Sequence, residues 1–234
     1  MNLVVEVDRH DVSRTEPALD GRAAWVTAAA ARVDEPDRHD ETLDGLCRHS
    51  PSLVPVPVLL PPTGVPGALD RAQRIAGGRY RLVRLCPTTH RYLLADWVLS
   101  PLPELLEREG AAVLIDFAPE PVSWHETVAL ARAFPSLPLV VLGVEVGADR
   151  SVPSALDAAP NIVCAIAALA TVEDLARLCE LFGASRFVCE AGERAKPMAA
   201  IAESELLPAE AREAVLWANA DTLARGAYAD MFLS

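Results

Sequence analysis

Two oppositely charged side chains stand inside runs that are otherwise apolar, Arg84 in YRLVRLC (80–86) and Asp116 in AVLIDF (112–117). A guanidinium is a fixed fork of donors that suits a planar carboxylate, and a carboxylate in an apolar setting is a candidate general base. Side chains alternate across a strand, so if Val83, Leu85, Ile115 and Phe117 face a covering layer, Arg84, Cys86 and Asp116 face the other way. Two readings follow. Arg84 grips a substrate carboxylate while Asp116 acts as base, or the two pair with each other and fill the interior, as buried charges usually do. The same alternation in LVVEVD (3–8) turns Glu6 and Asp8 to one face, and RFVCE (186–190) ends in Glu190. Arg84, Glu6, Asp8 and Glu190 are therefore candidate substrate-binding residues. Asp116 and His90, the latter in CPTTHRY directly after a strand-like run, are candidate catalytic residues. Glu6, Asp8 and Glu190 offer oxygen alone, which suits a hard divalent cation, or they are simply solvated.

Other chemistry-bearing groups read less sharply. The tetrapeptide DRHD occurs at 8–11 and again at 37–40, either as an improvised His and Asp metal site or as charged loops with Asp37 or Asp40 capping a helix. His125 falls in the first turn of a helix that Ser123 could cap, Trp124 beside it reads as packing, and His49 reads as a surface charge at a helix end. The five cysteines are odd in number, lack any Cys-x-x-Cys pair, and sit in apolar or helical patterns as small buried thiols. No Gly-x-Gly-x-x-Gly or Walker-type loop is present, and no cofactor is expected.

These residues need a frame. Apolar runs of strand length recur near 3–8, 23–28, 53–60, 80–86, 112–117, 138–144, 161–167 and 186–190, and segments of helical spacing separate most of them. Pro55 and Pro57 should make the third strand short or late. Alternating strands and helices with continuous apolar strands predict an α/β fold, a parallel sheet covered by helices. Eight units in 234 residues predict a lean single-domain (β/α)8 TIM-like barrel over 1–234, closed by the strand near 186–190 pairing beside the strand near 3–8. The alternative architecture is an open doubly wound sheet. Acidic residues outnumber basic ones 33 to 21, for a formal net charge of −12, which opposes nucleic acid and anionic membranes as partners. MNLVVEVDRHD has neither a basic lead segment nor a small-residue cleavage site, and no run approaches the ~20 apolar residues that span a bilayer, so a cytoplasmic protein with a small-molecule ligand is expected, alone or as a homo-oligomer.

Four stretches of the second half carry a resemblance: ARAFPSLPLVVLG (131–143), APNIVC (159–164), LFGASRFVCEAGERAKP (181–197) and Asn219-Ala220 followed by Leu223. In order and spacing they resemble the metal-dependent amidohydrolase superfamily, in its branch of small barrels related to decarboxylases and lactone hydrolases. The resemblance covers roughly residues 100–226, and the first hundred residues fit by strand count. It implies a His-x-His pair on the first strand, a histidine after Leu-Gly on the sixth and an aspartate in Gly-Ser-Asp on the eighth. Here EVDRHDV has no such pair, Val144 follows Leu142-Gly143, and Glu190, Ala191 and Gly192 stand where Gly-Ser-Asp is expected. The implied metal site is therefore eroded, with no metal residues assigned. The function expected is binding of a small carboxylate-type ligand with hydrolysis in doubt, the alternative being a hydrolase or decarboxylase that uses reassigned mouth residues.

Overall fold

The computed structural model describes residues 4–7, 24–28, 43–45, 47–48, 53–78, 80–116, 123–190 and 196–226, the first two stretches and residue 196 by backbone alone. Its strands are β1 Val4–Val7, β2 Ala24–Ala28, β3 Leu53–Val56, β4 Val58–Leu59, β5 Leu82–Leu85, β6 Ala112–Asp116, β7 Leu139–Val146, β8 Ile162–Leu169 and β9 Phe187–Cys189. Every ladder is parallel, and the strands follow chain order, β1-β2-β3 and then β4 to β9. Segments β3 and β4 are one strand interrupted at Pro57, whose carbonyl still accepts the Arg84 N–H at 2.9 Å. The third strand therefore does not start late. It begins at Leu53, tolerates Pro55 opposite Val26, and breaks at the second proline.

Between the strands lie α1 Ala68–Ala76, α2 Pro87–His90, α3 Asp96–Leu99, α4 Leu102–Glu109, α5 Trp124–Ala133, α6 Val152–Ala158 and α7 Val172–Phe182. After β9 come α8 Lys196–Glu203, α9 Ala209–Glu213, a π-helical turn Ala214–Ala218 and α10 Asn219–Arg225. The pattern at 96–110 reads as one helical segment, but it is divided between α3 and α4 because Pro101 disfavours helix at Ser100. Helix α8 carries little sequence signal, because the charged stretch before it masks Pro197 in its first turn and the Met198 and Ile201 spacing. Ser123 is the residue before α5, but its hydroxyl makes no cap bond; Thr127 Oγ1 instead donates to the Ser123 carbonyl at 3.2 Å. Among the described residues no helix is long and apolar enough to cross a membrane.

The alternation of the strands separates two apolar layers. Val83, Leu85, Val113, Ile115, Leu139, Val141, Ile162, Cys164 and Phe187 pack outward against Leu102, Leu106, Leu130 and Leu175 of the helices. Leu82, Ala112, Leu114, Val140, Leu142, Val163, Ala165 and Val188 pack inward together with Val56. Ala220 and Leu223 of α10 belong to that inner group. This seven-residue helix is ~10 Å long, yet it touches strands well apart in the sheet. Asn219 at its start bonds the Phe187 carbonyl at the head of β9, and a Cβ on Gly226 at its end would meet Arg81 and the Gly110 carbonyl before β5 and β6. Four strand spacings in a flat sheet span ~19 Å, so the sheet is curled around α10. The chain has the element order and curvature of a (β/α)8 TIM-like barrel, with α10 across the N-terminal ends of the strands. The described ladders stop at β1 and β9, and no ladder between those two is among the described residues.

Three side chains fasten the floor. Asn161 Nδ2 lies 3.0, 2.8 and 2.7 Å from the Ala131, Phe134 and Leu137 carbonyls, tying the end of α5 to the head of β8. Arg186 donates from Nε to Ile162 at 2.6 Å and from Nη2 to Leu156 at 3.3 Å and Ala159 at 2.7 Å. Asn219 Nδ2 reaches the Ala184 and Phe187 carbonyls, both at 2.8 Å. All three residues are buried, so each spares main-chain acceptors from going unpaired out of water.

Candidate functional site

The opposite ends of the strands form the mouth, where barrels of this type hold their chemistry. Arg84 and Asp116 face inward there from adjacent strands. Arg84 Nε lies 2.6 Å from Asp116 Oδ1, and Nη2 lies 2.7 Å from Oδ2. Their side chains are only 6% and 8% exposed, so this two-pronged pair is taken almost entirely out of water. The geometry is the one expected when two buried charges neutralise each other. Of the two readings of this pair, mutual neutralisation is therefore the arrangement seen.

Asp116 is level with Leu142 on β7, and the next residue, Gly143, makes a β-bulge. Between Val141 and Val144 β7 advances three residues against two on β8, and Gly143 takes a positive φ of 79° that glycine adopts without strain. The bulge has two consequences. It turns Val144 outward into the helix-facing layer, beside Val141. It also frees the Gly143 N–H from regular pairing, and Glu190 at the end of β9 accepts that N–H through Oε1 at 2.5 Å. Glu190 is thus anchored in the mouth as a main-chain acceptor. Val144, the position at which the sequence resemblance implies a histidine, does not face the mouth.

After β5 the chain enters α2, whose last residue is His90, and reverses at Arg91. Arg91 has φ 56°, in the left-handed region, and the Tyr92 N–H bonds back to the Pro87 carbonyl at 3.1 Å. This reversal lays the Tyr92 ring against His90, centroids 6.4 Å apart at 30°. The Tyr92 hydroxyl is buried. Burial first, and then the neighbouring Cys86 thiol, push the phenol well up, against the pull of a hydrogen bond with the Cys86 backbone. Tyr92 packs on the helix-facing layer just past β5, a placement that one aromatic after a loop histidine does not show by periodicity.

The remaining candidates separate. Glu6 lies on β1 with its side chain outside the described residues, and Asp8, His49 and both DRHD segments lie outside them altogether. His125 is exposed on α5, far from any role in a buried site. Trp124 does more than pack, since its Nε1 donates to Asp149 Oδ2 at 2.6 Å. Cys86, Cys164 and Cys189 are buried free thiols, and burial pushes Cys164, Cys179 and Cys189 up to about 12. A depression of about 430 Å³ lies in the β4–α1 loop between Pro62 and Asp70, apart from all these groups and with Asp70 as its one titratable lining residue.

No protein-family model matches the chain, and no curated protein matches it. Solved structures do match. The 5-carboxyvanillate decarboxylase of Sphingomonas paucimobilis superposes with a TM-score of 0.73 at 13% identity, over 94% of this chain and 83% of that one. A structure named amidohydrolase II gives 0.66 at 14% identity over 94% and 89%. The 5-carboxyvanillate decarboxylase of Novosphingobium aromaticivorans, holding manganese and 3-methoxy-4-hydroxy-5-nitrobenzoic acid, gives 0.69 at 13% over 90% and 80%. At these identities the likeness is one of fold, the barrel of amidohydrolase and decarboxylase structures. Among the described residues of this chain, no three His, Cys, Asp or Glu converge on a point. Both Asp116 oxygens are bonded to Arg84, and Val144 faces the helices. The described mouth residues therefore do not fit a manganese or zinc centre, which needs several ligands converging on one position.

Proposed function

We propose that this chain is an amidohydrolase-type barrel that binds a small carboxylate-type ligand in the mouth at the ends of β5, β6, β7 and β9, without metal-dependent hydrolysis. The observation that carries the reading is the Arg84–Asp116 pair, a buried guanidinium held at the strand ends. A ligand carboxylate presents to that guanidinium the same planar pair of oxygens as Asp116 and competes for the same fork. Asp116 then holds Arg84 in place in the free protein and fixes the direction from which a second anion approaches. Glu190, committed to Gly143, sets the far wall of the mouth. The fold likeness to decarboxylases, one of them crystallised with a nitrobenzoic acid, supports an aromatic or otherwise planar acid as the ligand class.

Equilibrium titration of metal-free protein with 3-methoxy-4-hydroxy-5-nitrobenzoic acid, followed by its visible absorbance, tests this. Saturable one-to-one binding is expected, weakened at least tenfold in an Arg84→Gln/Asp116→Asn double variant that keeps the pair neutral. Failure to bind this acid, benzoate or acetate overturns the reading. So does zinc- or manganese-stimulated turnover that Glu190→Ala abolishes, which would restore an active metallohydrolase or decarboxylase.

A further inference from the structure

Resting on that reading of the mouth, we propose that Glu145 is a specificity residue and that the bound acid carries a cationic amine at the end away from its carboxylate. The ligand class is then an amino acid in the broad sense. Arg84 takes its carboxylate and Glu145 its ammonium group.

Glu145 is aimed at the mouth by the backbone. Val144 and Val146 on either side of it are 1% and 0% exposed and belong to the helix-facing layer. Side chains alternate along a strand, so Glu145 stands on the inward face, and it is exposed because β7 ends at the open mouth. The bulge at Gly143 is what puts it there. Without the extra residue, alternation from the inward Leu142 would send Val144 inward and Glu145 out among the helices. Strand β8 makes a matching shift, advancing from Ile166 to Ala168 while β7 advances from Val144 to Glu145, so that Ala168 comes level with Glu145. A methyl group is all that β8 sets beside the carboxylate. The Glu145 carbonyl accepts the Ala148 and Asp149 N–H groups at 3.2 and 2.9 Å, which fixes the main chain that carries it. Bulges beside sites commonly re-aim a side chain, and this one exchanges a valine for a carboxylate.

Distance and charge then select the ligand. Asp116 is level with Leu142, and the bulge absorbs one of the three residues from there to Glu145. Two strand steps and one strand spacing separate the main chains of Asp116 and Glu145, about 8 Å, a reach that suits a benzoate substituted opposite its carboxyl group. Arg84 and Asp116 cancel each other, so a ligand carboxylate brought to their fork adds negative charge near Glu145, in a chain of formal net charge −12. A plain acid is opposed by Glu145. A hydroxyl on that acid would meet the acceptor oxygens without relieving the charge, whereas a protonated amine does both.

The test uses three ligands of one shape, 4-(aminomethyl)benzoate, 4-(hydroxymethyl)benzoate and 4-methylbenzoate, titrated calorimetrically at neutral pH into metal-free wild type and Glu145→Gln. Wild type is expected to bind the amine about fivefold more tightly than the methyl compound, with the hydroxyl compound between them. Glu145→Gln should weaken the amine and tighten 4-methylbenzoate, opposite shifts that general damage to the fold does not produce. Equal affinities in wild type, or tightest binding of the hydroxyl compound, overturn the proposal and leave the mouth reading intact. A preference for the amine that survives Glu145→Gln assigns the cation to another group and overturns it too. Wild type that binds none of the three removes the mouth reading itself and this proposal with it.

Discussion

Arg84 and Asp116 meet edge to edge from neighbouring strands, two donors against two acceptors at 2.6 and 2.7 Å, above an inward layer of Leu82, Leu114, Val140 and Leu142. A pair of this kind is costly to break and cheap to replace. Asp116→Ala leaves an uncompensated guanidinium in the interior and is expected to destabilise by ~3–5 kcal/mol, whereas Arg84→Met/Asp116→Leu should recover most of that loss. Urea denaturation of Arg84→Met, Asp116→Leu and the double variant measures the coupling. A double-variant loss equal to the sum of the two single losses would show that the pair is not coupled.

Asn161 holds three carbonyls with one amide that has only two hydrogens, so one bond is shared. Asn161→Ala is expected to cost ~2–4 kcal/mol by leaving buried acceptors unpaired. Asn161→Asp should be worse than alanine, because it aims a carboxylate at three carbonyl oxygens. A chevron or equilibrium melt that ranks aspartate above alanine would contradict the floor-clamp assignment.

Arg91 is the one non-glycine residue at positive φ among the described residues. Arg91→Gly relieves the clash of Cβ with the backbone but loosens the unfolded chain, and the balance is expected to raise stability by up to ~1 kcal/mol. The same change should leave Tyr92 in place. A loss of stability would mean that the guanidinium makes a contact worth more than the strain.

High pH should undo the fold in a defined window. Burial pushes Cys164, Cys179 and Cys189 from near 9 up to about 12 in the folded chain, so above pH 9 the unfolded chain releases protons that the folded one keeps. Their contribution is whole below pH 9 and is lost as the pH rises toward 12. Thermal midpoints measured from pH 8 to 11 should fall, and Cys164→Ala should flatten the fall. Native Cys164 and Cys189, buried and protonated, should also resist iodoacetamide at pH 8.

The frame was legible because strands and helices are written in periodicity. All eight apolar runs became strand positions, and the parity that set Arg84 beside Asp116 followed from alternation alone. What escaped notice depends on single backbone events. The Gly143 bulge reverses parity for Val144, and no alternating pattern encodes an extra residue. The Arg91 reversal that places Tyr92 is equally silent. The resemblance motifs, by contrast, were easy to see and were structural: Asn161, Arg186 and Asn219 all bond main-chain carbonyls at the floor. They record how the barrel is assembled, and the mouth that decides its chemistry is set by other residues.

Helix α10 gives the barrel a consequence of traffic. With Ala220 and Leu223 seated among the inward strand residues, α10 plugs the floor beneath the described strands. The proposed acid would then exchange through the mouth end, past Glu190, and its residence time would report on that end of the barrel.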